Sequence, residues 1–300
     1  MNAEILAEFA INVISMGSLY ALIALGLVFV FGICQMVNFA YGEFITVSAY
    51  VLYFVGTMTN LPWLLVFIIG ILAGVAVAFL CELIAFRPFR GRSLEALLVT
   101  SFAVSVVLQR ALQVGVSPRS KAVPIPAFIN ANIDLFGVTT PLRNLLIIGT
   151  TAILLVMLTI IWKKTTLGIA MRGASENFNI ARLMGVPANL VISAAFIISG
   201  LLAGVVAVFW SARTGSTEPL MGSGPLLIGF IAVVIGGMHS LQGSVIGGFV
   251  YALIANVLSL TLPSGLLSFR DAFMFALVIA FLVLRPEGLI RGKYKEERVG

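Results

Sequence analysis

The 300-residue sequence is poor in charge, histidine and cysteine, and each shortage excludes a class of protein. Only 10% of its residues are Asp, Glu, Lys or Arg, whereas a soluble domain carries about a quarter. Sixty per cent are apolar, and the mean hydropathy is +1.12. So few polar side chains cannot cover a water-facing globule of this length, and the chain reads as an integral membrane protein. The net charge of +6 arises among only 18 basic and 12 acidic residues, so it calls for a topological explanation and not for a nucleic-acid partner. A single histidine, His239, with no H-E-x-x-H and no Asp pair, leaves no metal site and no catalytic set. Two cysteines, Cys34 and Cys81, lie in apolar stretches and provide neither a disulfide framework nor metal-ligand spacing. No G-x-x-x-x-G-K-[ST] loop occurs, so the chain is not expected to hydrolyse a nucleotide itself.

The few charges are clustered, and the gaps between them outline membrane spans. Residues 9–42, 44–81, 144–162, 183–212 and 219–269 contain no Asp, Glu, Lys or Arg. A helix needs about 20 apolar residues to cross a hydrocarbon core of about 30 Å. These gaps predict spans over 9–31, 38–56, 62–85, 95–114, 143–162, 189–212, 225–238, 243–261 and 270–285, the seventh and ninth being short. The expected fold is all-α: a polytopic membrane protein of eight or nine transmembrane helices, some broken or re-entrant. Connectors 86–94 and 163–188 and the tail from 285 carry twelve of the 18 basic residues, which places them in the cytoplasm by the positive-inside rule. The N-terminus, with Glu4 and Glu8 and no early basic residue, is then outside, and a cleaved signal peptide is not expected. No cytoplasmic piece is long enough for an independent domain. The expected organisation is one permease domain over 1–300, containing the cytoplasmic loop 163–188 and a cytoplasmic tail over 286–300.

The connector KKTTLGIAMRGASENFNIARLMGVPA (163–188) is the most informative stretch. Ala174, Phe178, Ala181 and Met184 recur at helical steps on one face, and Ser175, Glu176, Asn179 and Arg182 occupy the other. Gly185, followed by Val186 and Pro187, is a helix stop signal. A helix of about three turns is expected, its apolar face resting either on the protein's own spans or in a groove of a partner.

Glu43, in VNFAYGEF, is the sole charge between residues 8 and 82. An ionisable group inside a bilayer is functional by default, or else protonated and satisfied by a neighbour. Asn38, Gly42 and Glu43 could cap a broken helix near the midplane, or line a translocation path together with Thr46. Residues 236–248, GGMHSLQGSVIGG, look like an echo of this segment, which adds His239 and Gln242 as path candidates. Three G-x-x-x-G pairs, Gly70/Gly74, Gly200/Gly204 and Gly243/Gly247, permit close helix contact; at least two are expected to pack within the chain and one could form a seam with a second subunit. The proline-rich connector 115–142 could receive a binding protein or be a plain stiffened loop.

Five stretches carry a resemblance that no single motif would: SLYALIALGLVFVFGICQMVNFAYGEFITVSAY (18–50), FRPFRGRSLEALLVTSFAVSVVLQ (86–109), LGIAMRGASENFNIARLMGV (167–186), LLIGFIAVVIGGMHSLQGSVIGGFVYAL (226–253) and DAFMFALVIAFLVLRPEGLI (271–290). In order, spacing and length the chain resembles the permease subunits of bacterial ABC importers for branched-chain amino acids. The resemblance implies that connector 163–188 is the coupling loop that docks on an ATPase subunit, through Gly168, Arg172, Ala174, Glu176, Ala181, Leu183 and Gly185. It implies a second permease subunit, most simply a paralogue, two ATPase subunits that bind ATP and Mg, a periplasmic substrate-binding protein, the bacterial inner membrane as location, and no cofactor on this chain. Related permeases look suited to urea, short amides or other amino acids as well. The sequence departs from the family pattern where Tyr41 replaces a usual histidine and where His239 and Gln242 stand in place of a small residue and a proline. The rival expectation is a self-sufficient ion-coupled transporter or channel using Glu43.

Overall fold

The computed structural model describes residues 3–90, 93–135, 138–176, 178–238, 240–285 and 288–290, with 3–5, 135, 178, 179 and 188 described by backbone alone. All nine expected spans are helices. In chain order the elements begin with α1 (Ala3–Cys34), α2 (Tyr41–Met58) and α3 (Trp63–Cys81), which runs on through a π turn at Glu82–Phe86. They continue with α4 (Leu94–Gly115), strands β1 (Lys121–Ala122), β2 (Asn132–Leu135) and β3 (Val138–Pro141), and α5 (Leu142–Lys164). Two helices, α6 (Thr166–Glu176) and α7 (Phe178–Leu183), precede α8 (Ala188–Thr214), β4 (Ser216–Thr217), α9 (Ser223–Gly236), α10 (Leu241–Thr261) and α11 (Arg270–Leu284).

Seven of these helices are long and apolar enough to cross a bilayer: those built on α1, α3, α4, α5, α8, α10 and α11. The other two predicted spans, α2 with 18 residues and α9 with 14, are shorter. The chain is thus a polytopic helical membrane protein. Punctuation is local: Pro62, Pro141 and Pro187 stand directly before α3, α5 and α8, where a missing N–H costs nothing. The Ser93 and Ser240 hydroxyls cap α4 and α10 by accepting from Ala96 N and Gly243 N.

Helices α1 and α8 form the centre, with 89% and 78% of their span windows buried, whereas α4 and α11 keep only 11% buried and lie at the periphery. Around this centre the contacts repeat. Helix α3 packs on α8 as α10 packs on α1, α2 packs on α3 and α8 as α9 packs on α10 and α1, and α4 touches α2 as α11 touches α9. Because α5 adds one crossing between the halves, α8–α11 repeat α1–α4 with inverted direction. The three glycine pairs make the close contacts of this scaffold. A Cβ on Gly200 would meet Gly74 O, one on Gly70 would meet Leu52, and one on Gly247 would meet Ala232 O. All three pairs are consumed within the chain, so the expectation that one is left for an intersubunit seam is corrected.

At one end, here called the basic end, lie the α3–α4 turn, the α5–α8 connector and residues 288–290, whose backbone bonds Ile235 O and Gly236 O at the end of α9. At the other end β1 pairs with β4 and β2 pairs with β3, so connector 115–142 is hydrogen-bonded structure and not a bare loop. Most of the tail 286–300, with Arg291, Lys293, Lys295 and Arg298, lies outside the described residues.

Candidate translocation site and coupling surface

The chain breaks between α1 and α2. Gln35 takes a left-handed conformation (φ +53°), and Asn38 turns the backbone inward: its side-chain oxygen accepts from Ala40 N at 3.1 Å and its carbonyl from Tyr41 N at 3.2 Å. Helix α2 therefore begins inside the protein, with Tyr41, Gly42, Glu43 and Thr46 all buried. Its first turn meets the first turn of α9. A Cβ on Gly42 would fall 2.6 Å from Gly222 O, and one on Gly222 would fall on Gly42 O, so only glycine permits the approach. The Thr46 hydroxyl joins the two turns, donating to Gly42 O at 3.1 Å and accepting from Gly222 N at 3.0 Å.

Glu43 is 1% exposed and points at α4. Its Oε1 accepts from Gln109 Nε2 at 2.7 Å and from Ser105 Oγ at 3.2 Å. Ser105 is near the middle of the 22-residue α4, which sets the carboxyl at mid-depth in the span. Three atoms of this segment are buried without a hydrogen-bond partner among the described residues: Glu43 Oε2, Asn38 Nδ2 and Tyr41 OH. One turn nearer its start, α4 is held again at the same segment. Ser101 Oγ lies 3.4 Å from both Val37 O and Phe39 N, and the Phe39 and Phe102 rings meet edge to face with centroids 6.5 Å apart. Ser101, Ser105 and Gln109 thus form a polar stripe on α4. Their i, i+4, i+8 spacing on one face of the helix is a signal that the sequence reading left unused.

The structure gathers Asn38, Gly42, Glu43 and Thr46 into one site, but it does not bring Gln242 there. Gln242 is exposed in the first turn of α10, beside the Gly236–Gly243 contact at the basic end. The 14 residues of α9 separate that contact from Gly222, about 21 Å at 1.5 Å per residue. The segment that faces residues 38–46 is 222–226, so the likeness of 236–248 to the first site does not reflect spatial correspondence. His239 lies outside the described residues.

The connector beyond α5 is helical over Thr166–Glu176 and Phe178–Leu183, on either side of residue 177, which lies outside the described residues. Helix α6 starts early because Thr165 Oγ1 accepts from Gly168 N at 3.0 Å, and Gly168 is pressed on the backbone of Ile161 and Trp162. Arg172 donates to Trp162 O, and Gly168, Met171 and Ala174 form the buried face. Helix α7 ends as the sequence indicates: Gly185 is left-handed (φ +84°), and Val186 N and Gly185 N bond Ala181 O and Arg182 O, the double bond pattern of a Schellman cap. Along one face of this connector runs an open groove of about 480 Å³ lined by Ile169, Gly173, Glu176, Ile180 and Met184. Leu183 and Met184 are 87% and 81% exposed, so Met184 is not on the buried face with Ala174 and Ala181; the Phe178 side chain is among those not described. Of the seven candidate coupling residues, Gly168, Arg172, Ala174 and Ala181 tie the connector to its own bundle, Glu176 and Leu183 face outward, and Gly185 shapes the turn.

A second polar centre escaped the sequence reading. Glu82, fully buried in the π turn after α3, pairs with Arg90 and accepts from Ser193 Oγ at 2.8 Å, while Arg90 also donates to Asn189. Burial holds the Arg90 guanidinium below its usual pKa. This cluster ties the α3–α4 turn to the first turns of α8, directly after the connector. Among the described residues no three His, Cys, Asp or Glu side chains gather as metal ligands.

A family profile described as "Branched-chain amino acid transport system / permease component" matches residues 9–282. The chain belongs to this family. Over 96% of both chains it is 29% identical to the high-affinity branched-chain amino acid transport system permease protein BraD of Pseudomonas aeruginosa. It is 30% identical, again over 96% of both chains, to the corresponding LivH protein of Salmonella typhimurium. A probable branched-chain amino acid transport permease, LivH, of Methanocaldococcus jannaschii is 27% identical over 93% of this chain and 90% of its own. No solved structure matches the chain. Family membership and the apolar helices together make the protein a multi-pass membrane permease component.

Proposed function

We propose that the protein is one membrane-spanning half of an ABC importer that moves branched-chain or related small amino acids into the cytoplasm, driven by ATP hydrolysis in separate subunits. The observation that carries this reading is the α6–α7 connector, which projects an exposed apolar rim and an open groove from the basic end while its other face is bolted to α5. Such a surface suits docking by a partner protein outside the bilayer. The concentration of Lys and Arg at that end favours the cytoplasm, which sets the C-terminus inside and the N-terminus outside. The opposite end, with its paired strands, is then the side on which a periplasmic binding protein delivers cargo. A second permease subunit completes the pair. The path passes where the first turns of α2 and α9 meet, at Gly42, Glu43, Thr46 and Gly222.

Reconstitution tests this directly. Uptake of leucine into proteoliposomes is expected to require the ATPase subunits, ATP and the binding protein. Uptake by this chain alone on an ion gradient would refute the importer and favour the Glu43-dependent secondary transporter. Gly185→Asp is expected to reduce ATPase binding and uptake at least tenfold with insertion unchanged, because it distorts the left-handed cap and adds charge at the docking rim. Gly185→Asn, which tolerates the same backbone, should retain most activity. Full uptake by the Asp variant would show that the connector does not couple.

A further inference from the structure

We infer that Glu43 accepts the ammonium group of the cargo, its free carboxyl oxygen serving as the counter-group at the centre of the membrane. The inference rests on the reading above, that the cargo is a small amino acid. The carboxyl is asymmetric: Oε1 holds two donors, Ser105 and Gln109, and Oε2 holds none among the described residues although the side chain is 1% exposed. The Thr46 hydroxyl also bears on the carboxyl, but its proton goes to Gly42 O, so an ionised Oε2 is a buried acceptor without a donor of its own. A group able to donate hydrogen bonds and carry positive charge satisfies it, and an amino acid's ammonium does both. No internal cation competes, since the ion pairs among the described residues are Arg90–Glu82 and Arg270–Asp271.

Position and access agree with this chemistry. Glu43 lies beside the Gly42–Gly222 contact, where the half-helices α2 and α9 begin. The helix covering it is α4, which sits at the periphery and meets this segment through the polar stripe Ser101, Ser105 and Gln109, with Leu97, Leu98, Val104 and Leu108 half-buried against the core. Displacing α4 exposes the carboxyl without opening the α1–α8 centre. The donors of α4 and those of the cargo then exchange on one acceptor, so the closed protein does not have to leave the carboxylate wholly unpaired.

Glu43→Gln separates this role from a structural one. Glutamine keeps the carbonyl acceptor for Ser105 and Gln109 and nearly the same volume, but its second atom becomes a donor that repels an ammonium. The full transporter with ATPase and binding protein is compared in proteoliposomes, using leucine as the probe. The expected result is at least a tenfold loss of leucine moved per ATP hydrolysed with thermal stability unchanged, and partial recovery in Glu43→Asp. Wild-type uptake by Glu43→Gln would overturn the inference. So would loss of uptake with a matching loss of thermal stability, which marks a structural cap, or wild-type uptake that depends on sodium through Glu43, which marks an inorganic-cation site. Wild-type uptake tests the importer reading; the ratio of variant to wild type tests the ammonium site. A wild type with no ATP-driven leucine uptake overturns both.

Discussion

The Glu82–Arg90 pair allows a quantitative prediction, because its two members differ in burial. The Glu82 side chain is 1% exposed and that of Arg90 is 20% exposed. Removing one partner of a buried pair costs about 3–5 kcal/mol, most of it from the charge left unpaired. In Arg90→Met the unpaired group is a fully buried carboxylate with Ser193 as its remaining donor, so the cost belongs near the top of that range. In Glu82→Gln the unpaired group is a guanidinium that is one-fifth exposed, keeps Asn189, and can reach the aqueous edge along its own stem. That cost belongs at or below about 3 kcal/mol. At about 2–4 °C per kcal/mol, Arg90→Met is expected to lower Tm by roughly 8–16 °C and Glu82→Gln by about half as much.

The double variant Glu82→Leu/Arg90→Met removes both desolvation penalties and should fall within about 1 kcal/mol of wild type, because well-packed apolar replacements of a buried pair are often neutral. Thermal unfolding of the four proteins in one lipid or detergent system, read as a double-mutant cycle, checks the ordering and the coupling. A double variant as unstable as the sum of the singles, or an Arg90→Met cost under about 1 kcal/mol, refutes the argument.

Two other outcomes are expected. Gly200→Val should destabilise by about 1–3 kcal/mol, since even the first added carbon meets Gly74 O at 2.5 Å and Ala78 Cβ at 2.6 Å. Gly149→Ala, on an exposed and open face of α5, should instead gain about 0.5–1 kcal/mol from helix propensity; equal effects in a thermal-unfolding comparison would show that the α3–α8 seam is not tightly packed. Phe39→Cys with Phe102→Cys, in a background without Cys34 and Cys81, should stop uptake when joined by a short cleavable thiol linker and recover on cleavage. Full uptake in the linked protein would show that α4 does not move off α2.

Much of the fold was legible because lipid imposes one simple rule: spans are long apolar helices and charges mark their ends. All nine predicted spans are helices, most of them set by the charge gaps, and Gly185 caps where Gly-Val-Pro says it must. What was not legible depends on partners distant in sequence. The stretch containing Glu43 indicates a broken helix, but only the fold reveals that it faces Gly222 and not the glycine cluster at 236–248. G-x-x-x-G spacing indicates that backbones can approach, without indicating which backbone. Glu82 and Arg90 read as the charge that closes a gap and a member of a basic connector. They pair because the π turn after α3 folds the chain back over the start of α8.

The inverted repeat separates scaffold from function. Gly42 and Gly222 are 180 residues apart, and that offset converts the Thr46–Gly222 contact into the Gly42–Leu226 contact, both of which are present. The local two-fold axis therefore passes beside these glycines. Under the same offset Glu43 corresponds to Ser223, whose hydroxyl is spent on Leu220 O. The α4 stripe Ser101, Ser105 and Gln109 corresponds to Phe281, Arg285 and Leu289, at and beyond the end of α11, which form no matching set of neutral donors. Backbone packing is duplicated while the carboxyl and its donors occur once. A purely structural cap on a broken helix would be needed in both halves, because α9 begins inside the protein as α2 does. It is met there by Gly222 and Thr46 without a charge. The added cost of burying Glu43 in one half alone is therefore not explained by capping the break, which supports the proposed role of Glu43 toward the cargo.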